Sequence, residues 1–163
     1  MDGPVKVSPK VAPVPYHAAW YWEGNVQRAI ADHLAADGWT IEHLADTAKH
    51  EHGDDIRAQK DGRTLRVEVK GWPRKGRYAD PARAGLVKRT QPGTQAGHWY
   101  GDAVLQVIRY LHQHPGDQVA IGLPDWPRFR KLVSGTETPL RQLGVGVYLV
   151  REGPSVVLLL PLG

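Results

Sequence analysis

The sequence contains no cysteine among its 163 residues. This absence excludes disulfide bonds, thiolate zinc sites and iron–sulfur clusters. It also agrees with a cytoplasmic protein, which is the location we expect. No apolar run approaches the roughly 18 residues that a membrane-spanning helix needs, so the sequence predicts no membrane segment. Internal repeats and low-complexity segments are absent as well, which leaves an ordinary globular chain.

The chain divides into a short leader and one domain. Residues 1–16 are rich in proline and valine and lack the basic-then-apolar order of a signal peptide, so we expect a flexible N-terminal arm. Residues 17–163 are expected to form a single domain, because 41% of the chain is hydrophobic, which is enough for a core.

Hydrophobic periodicity predicts the main elements. Helices are predicted at 20–37, 98–113 and 126–133, with a turn of helix at 139–143. Strands are predicted at 39–44, 55–60, 64–70, 118–123, 145–150 and 155–160. Strands flanked by helices indicate an α/β fold in which helices pack on a mixed sheet.

An Asp-Gly pair at Asp61 and Gly62 separates two β-rich runs. Such a pair favours a two-residue hairpin, because both central residues of a type I′ turn need positive φ. Counting outward from the turn brings Asp55 directly opposite Glu68. Side chains alternate along a strand, so Lys70 lies on the same face as Glu68.

Two directly opposed carboxylates in a hairpin have Cβ atoms roughly 4.5–5.5 Å apart and repel each other unless something compensates. A divalent cation is one compensation, since Mg²⁺ binds one or two carboxylates and keeps its other positions for water and phosphate oxygens. Asp55 and Glu68 therefore predict a site for Mg²⁺ or Mn²⁺. The alternative is a solvated hairpin in which Arg57 and Arg66 offset the two carboxylates.

A third carboxylate, Glu23, lies in the predicted first helix. At 100° per residue, Glu23 is within about 20° of Ile30 and Leu34, on the apolar stripe of that helix. A charge on such a stripe usually finds a partner or a metal. The alternative is a glutamate at the helix start that is favoured by the helix dipole.

The order of these residues resembles a known superfamily. Glu23 in a helix is followed by Gly-Asp-Asp-Ile at 53–56, a turn, and Glu-Val-Lys-Gly at 68–71. This order resembles the PD-(D/E)XK phosphodiesterases, and it looks most like the archaeal-type Holliday junction resolvases and Mrr-type restriction nucleases. Asp54 stands where the name-giving proline would be, a position that varies widely in the superfamily.

The resemblance implies a restriction endonuclease-like fold with an αβββαβ core, extended here by a C-terminal helix and strands. It implies that Asp55, Glu68 and the backbone carbonyl of Val69 bind Mg²⁺ or Mn²⁺. Lys70 would then orient the attacking water, and Glu23 would bind metal or water. Many enzymes of this kind pair to cut both strands, so the resemblance also leaves a homodimer open.

A weaker likeness lies in the predicted helix at 98–113, where Gln106 and Tyr110 are spaced i, i+4. Gln-x-x-x-Tyr is similar to an accessory motif of the exonuclease branches of the superfamily. The alternative is that both residues serve only to pack that helix.

Positive charge is concentrated in the segment after Lys70. Residues 72–96 contain six basic residues against Asp80 alone, while the whole chain carries a net charge of only +4. A basic segment longer than roughly 12–15 residues beside a metal site suits a phosphate backbone. The nucleic-acid-binding residues predicted on this basis are Arg74, Lys75, Arg77, Arg83, Lys88 and Arg89. The alternative is a solvated loop with ordinary surface charge.

Together these features predict a Mg²⁺- or Mn²⁺-dependent nuclease that hydrolyses phosphodiester bonds in DNA, with RNA left open. An alternative of a different class is a non-catalytic nucleic-acid-binding module that has kept the fold. A further alternative is a nuclease subunit that is inactive outside a larger complex.

Overall fold

The computed structural model describes residues 15–49, 51–73 and 90–163. The helices in these ranges are α1 (Glu23–Ala36), α2 (Pro92–Gln113), α3 (Pro127–Ser134) and α4 (Glu137–Gln142). The strands are β1 (Thr40–Leu44), β2 (Ile56–Lys60), β3 (Arg63–Val69), β4 (Gln118–Pro124), β5 (Gly146–Val150) and β6 (Val156–Leu160). Short 3-10 helices cover Tyr16–Ala18 and Thr47–Lys49.

The six strands form one open sheet in the spatial order β1-β2-β3-β4-β5-β6. β2 pairs antiparallel with both β1 and β3, and β6 pairs antiparallel with β5. β4 pairs in parallel with β3 and β5, so the chain must cross over before and after it. α2 makes the first crossover, and α3 with α4 makes the second. β4 is buried along nearly all of its length, as expected of a strand between two parallel neighbours.

Helices cover both faces of this sheet, and each face has its own apolar cluster. Ile30 of α1 belongs to one cluster with Val67, while Phe129 of α3 belongs to the other, which also includes residues of α2 and α4. Neighbours in a strand point to opposite faces, and accordingly Ala120 joins the first cluster and Ile121 the second. The predicted α/β fold class is therefore confirmed. None of the helices in the described ranges is long and apolar enough to cross a membrane.

Most predicted elements are confirmed, with ends displaced by no more than three residues. The prediction was wrong for α2, which begins at Pro92 rather than at 98. Proline is favoured in the first turn of a helix, where its missing amide costs no hydrogen bond. Gly93 and Gly97 have low helix propensity and obscure the helical pattern in this first part. The predicted turn at 139–143 is the short helix α4, which starts two residues earlier.

The expected N-terminal arm at 1–16 falls outside the described residues, apart from Pro15 and Tyr16. Tyr16 begins the first 3-10 helix. Its hydroxyl donates a hydrogen bond to the main-chain oxygen of Trp72 at 2.8 Å, which fixes this residue beside the end of β3.

Gly122 of β4 lies directly beneath α1. A Cβ atom at this position would come within 2.3 Å of Ile30 Cδ1 and 3.3 Å of Val69 Cγ2, and Ile30 is fully buried. We expect Gly122→Ala to lower the free energy of unfolding by roughly 1–3 kcal/mol through overpacking. Ile30→Val removes Cδ1, so the double variant should lose less than the sum of the two single variants. Denaturant unfolding measures this coupling, and strictly additive losses would contradict the packing described.

Candidate active site

The β2–β3 hairpin turns at residues 61 and 62, whose φ angles are 51° and 74°. These are the positive values that a type I′ turn needs, and the ladder pairs Lys60 with Arg63 across the turn. Farther out, Ile56 pairs with Val67. The predicted turn and register are confirmed as far as the Ile56–Val67 pair. Asp55 and Glu68 are the residues directly beyond that last pair.

Asp55 is held by hydrogen bonds at both its side chain and its main chain. Its Oδ2 accepts a hydrogen bond from the amide of Val69 at 2.6 Å. Its main-chain oxygen accepts another from the amide of Ala45 at 2.9 Å. The N–H and C=O of one strand residue point to the same side, so the Val69 carbonyl is also directed toward Asp55. This orientation is compatible with the metal-binding role expected for that carbonyl.

Glu68 is nearly buried, with 7% of its surface exposed, and both of its carboxylate oxygens accept hydrogen bonds. Lys70 Nζ donates to Oε1 at 2.6 Å, and the Tyr110 hydroxyl donates to Oε2 at 3.1 Å. Tyr110 is buried in the α2 cluster and therefore packs the helix, but its hydroxyl also reaches the candidate site. Burial, followed by the charge of Glu68, raises the pKa of the Tyr110 hydroxyl. The side chain of Gln106 forms a hydrogen bond with this hydroxyl. The structure thus brings the predicted accessory pair, Gln106 and Tyr110, to Glu68.

These side chains open onto a cavity of about 340 Å³. The predicted site residues that line it are Glu23, Asp55, Glu68, Lys70 and Gln106. Ala45, Thr47 and His52 contribute to the wall opposite β3. Predicted site residues that are far apart in the sequence therefore line one cavity that is open to solvent.

Glu23 reaches this cavity because the chain after β3 passes very close to the start of α1. The amide of Trp72 donates a hydrogen bond to the main-chain oxygen of Tyr21 at 2.9 Å. Between them, Gly71 approaches so closely that a Cβ atom there would lie 2.6 Å from the main-chain nitrogen of Glu23. The glycine that follows Lys70 is therefore required for Glu23, the first residue of α1, to stand beside the lysine.

Negative charge exceeds positive charge in the cavity. Burial, followed by the charge of Glu68, raises the pKa of Asp55 from 3.8 to about 7, and Glu23 acts in the same direction. Burial by itself would lower the pKa of Lys70, but the attraction and hydrogen bond of Glu68 outweigh it, so this pKa is raised. Lys70 therefore stays protonated, yet the described lining of the cavity sets its one ammonium against four carboxylate residues, Glu23, Glu51, Asp55 and Glu68.

The alternative in which Arg57 and Arg66 offset the two carboxylates does not match the contacts. Both arginines bind the nearly buried Asp54, Arg66 at 2.5 Å and Arg57 at 3.4 Å. Arg66 also pairs with Asp117 at 2.7 Å, and Arg57 with Glu42 at 3.5 Å. Within the described residues, the hairpin arginines thus neutralise other acidic side chains, and only Lys70 forms an ion pair with Glu68.

The predicted nucleic-acid-binding residues are not among the residues that the structure describes. Arg74, Lys75, Arg77, Arg83, Lys88 and Arg89 all lie outside the described residues. The described chain stops at Pro73, three residues after Lys70, so in the sequence the basic segment directly follows the wall of the cavity.

One polar residue of the site, Gln27, was missed by the sequence analysis. It is only 2% exposed, and its side-chain amide donates to the main-chain oxygen of Asp55 at 2.8 Å. The signal was available, because Gln27 lies four residues after Glu23 and within about 20° of Leu34 on the apolar stripe of α1. The argument that singled out Glu23 applies equally to this glutamine.

Comparison with protein-family models finds no match for this chain, and comparisons with curated proteins and with solved structures find no significant match either.

Asp55 makes the stability of the metal-free protein depend on pH. Because its pKa is raised on folding, the protonated carboxyl contributes stability below about pH 4 that is lost as the pH rises through about 7. Asp55→Asn keeps an acceptor for the Val69 amide and does not ionise. We expect this variant to be more stable than the wild type at pH 8 by on the order of 2 kcal/mol, with the difference shrinking toward pH 5.

Denaturant unfolding in the presence of a chelator measures this difference across the pH range. The matched control is Asp102→Asn, a change on the exposed face of α2. If the advantage of Asp55→Asn did not grow with pH, the raised pKa would be wrong.

Proposed function

We propose that this protein is a divalent-metal-dependent nuclease of the PD-(D/E)XK type that hydrolyses phosphodiester bonds, with DNA as the first substrate to test. The observation that carries the proposal is the convergence of Asp55, Glu68 and Lys70 on one open cavity, with Asp55 and Glu68 directly beyond the last pair of the hairpin ladder. The cytoplasmic location expected from the sequence belongs to the same proposal.

The order of elements supports this assignment. From α1 to β4 the α-helices and strands of the described residues follow the order αβββαβ, the same order as the core that the resemblance implies. Asp55 precedes the second strand, and Glu68 and Lys70 lie at the end of the third. The first helix, which carries Glu23, packs on the face formed by Val67 and Val69. This order of motif residues along helix, turn and strand supports the proposal.

The donor set fits a hard divalent cation. Asp55 and Glu68 supply carboxylate oxygens, and the Val69 carbonyl and Glu23 are the further oxygen donors proposed. Mg²⁺ and Mn²⁺ favour such oxygen ligands, and Mg²⁺ commonly takes only one or two carboxylates from the protein. In the described ranges, no group of three histidine or acidic side chains forms a complete metal site. We therefore assign two carboxylates to the cation and leave its remaining positions to water and substrate.

The raised pKa of Asp55 supports the same fit. Burial and the charge of Glu68 make the carboxyl of Asp55 difficult to ionise. A nearby cation would favour its charged form. When bound, the cation would act as a Lewis acid toward the scissile phosphate.

Lys70 has a distinct role. Its raised pKa keeps the side chain protonated at neutral pH, so it cannot remove a proton and acts instead as a donor. Its ammonium lies 2.6 Å from Glu68 Oε1 and lines the cavity. From there Lys70 orients the attacking water and offsets the negative charge that develops on the phosphoryl oxygens. Tyr110 holds Glu68 from the other side through its second oxygen.

The basic segment gives the reason to choose a nucleic acid over a small phosphodiester. Six lysine and arginine residues follow within twenty residues of Lys70. Several adjacent positive charges suit a polyanion, because each can neutralise one phosphate and release counterions.

The proposal is tested by incubating the purified full chain with plasmid, linear, single-stranded and branched DNA, and with RNA, in Mg²⁺ or Mn²⁺. We expect cleavage that a chelator abolishes and that Asp55→Asn and Lys70→Ala reduce by at least about 100-fold, as loss of charge stabilisation in the transition state does. Asp102→Asn and Lys131→Ala, both on exposed helix surfaces, are the matched controls and should retain activity.

One outcome would contradict the assigned site, and two others would favour the alternatives. Cleavage that survives both Asp55→Asn and Lys70→Ala would rule out the assigned site. Salt-sensitive DNA binding without cleavage of any substrate would instead favour the non-catalytic binding module, and activity that appears only with a co-purified partner would favour the subunit alternative.

A further inference from the structure

Gln27 connects α1 to the two chain segments that form the walls of the cavity. Its Nε2 donates to the main-chain oxygens of Ala45 at 3.0 Å and Asp55 at 2.8 Å. Its Oε1 accepts a hydrogen bond from the hydroxyl of Thr47 at 2.7 Å. Ala45 and Thr47 line the cavity on one side, and Asp55 does so on the other.

A buried amide at this position requires an explanation. Gln27 is 2% exposed and lies among the apolar residues of α1, where an aliphatic side chain of equal size would pack without any polar group to satisfy. Burying an amide is unfavourable unless its donors and acceptor are paired, and here both donor hydrogens and the oxygen are used. All three partners line the cavity. The hydrogen bonds of Gln27 therefore hold residues that line the cavity, in addition to packing the helix.

The hydrogen bonds around Asp55 show what Gln27 does. The main-chain oxygen of Asp55 accepts from Gln27 and also from the amide of Ala45, at 2.9 Å. Its carboxylate accepts from the amide of Val69 at 2.6 Å. Asp55 lies just before the first residue of β2, so the regular ladder does not by itself fix its position. The bond from α1 supplies a constraint that strand pairing does not.

We propose that Gln27 is a positioning residue that holds the main chain of Asp55 so that its carboxylate faces Glu68. This inference rests on the proposed function, in which Asp55 is a metal ligand. Gln27 does not touch the cation or the substrate. It acts through the main chain of Asp55 and through the wall formed by Ala45 and Thr47.

The first test is the affinity for Mn²⁺, measured by titration calorimetry on the full chain. Gln27→Met keeps the length of the side chain and removes its donors and acceptor. Outer residues that orient metal ligands typically change metal affinity by about 10–100-fold, so we expect Mn²⁺ to bind at least about tenfold more weakly. The matched control is Gln118→Met, which removes a 2.6 Å hydrogen bond to Gly163 O at the opposite end of β4 and should leave the affinity unchanged.

The second test needs no metal. The Val69 amide is bonded to the carboxylate of Asp55, so its hydrogen exchange, followed by NMR, reports whether that carboxylate stays in place. We expect exchange at Val69 to be at least about tenfold faster in Gln27→Met and unchanged in Gln118→Met, since the opening free energy of a local contact sets the exchange rate.

The two readouts separate failure of the inference from failure of the proposed function. A folded Gln27→Met with unchanged Mn²⁺ affinity and unchanged exchange at Val69 overturns the positioning role. A wild-type protein that binds no Mn²⁺ contradicts the metal site, while the exchange at Val69 still decides whether Gln27 holds Asp55. If Gln27→Met does not fold, Thr47→Val removes the hydroxyl that orients the Gln27 amide. We then expect Thr47→Val to bind Mn²⁺ several-fold more weakly and to exchange the Val69 amide several-fold faster. If neither quantity changes, the inference is overturned.

Discussion

The register of the β2–β3 ladder is the constraint on which the rest of the site depends. Positive φ angles at residues 61 and 62 set that register, and a slip of one residue would turn every side chain of β3 to the other face. Leu65 and Val67, both fully buried, would then leave the cluster beneath α1. Each buried aliphatic side chain contributes roughly 1.5–3 kcal/mol, so the apolar face keeps Glu68 and Lys70 on the side of the cavity.

Two adjacent aspartates, Asp54 and Asp55, differ in the charged side chains that surround them. Asp54 is nearly buried, and Arg66 and Arg57 both bind it, so its negative charge is compensated. Asp55, the next residue, has Glu68 as its main charged neighbour, and its pKa is raised to about 7. Arg57 and Arg66 also pair with Glu42 and Asp117, and none of the ion pairs described for these two arginines involves Asp55. Asp55 and Glu68 share one ammonium, that of Lys70, and a perturbed pKa such as that of Asp55 is typical of functional sites.

Turn propensity and strand alternation were sufficient to predict part of this structure. The turn and the register up to the Ile56–Val67 pair follow from one Asp-Gly pair and from strand alternation, which need no tertiary information. Contacts between distant segments could not be derived in this way. The hydroxyl of Tyr110 reaches Glu68 across 42 residues of sequence, and Gly71 packs on the start of α1. The role of Gln27 depends on where Ala45 and the main chain of Asp55 come to lie, and the packing of α1 on the sheet decides that. Periodicity alone also failed at the start of α2, where glycines weaken the pattern.

The balance of charge in the cavity links substrate, cation and fold. Of the described side chains that line it, Lys70 alone carries a permanent positive charge, and its ammonium is already bonded to Glu68. A phosphate that entered the cavity would meet net repulsion, because one ammonium cannot offset the carboxylates of Glu23, Glu51, Asp55 and Glu68 and an added anion. Further positive charge must therefore accompany the substrate. A divalent cation held by Asp55 and Glu68 would supply it inside the cavity, and the lysines and arginines after Pro73 would supply it at the next phosphates along the strand. For this reason the proposed function assigns a cation to the site together with the phosphate substrate.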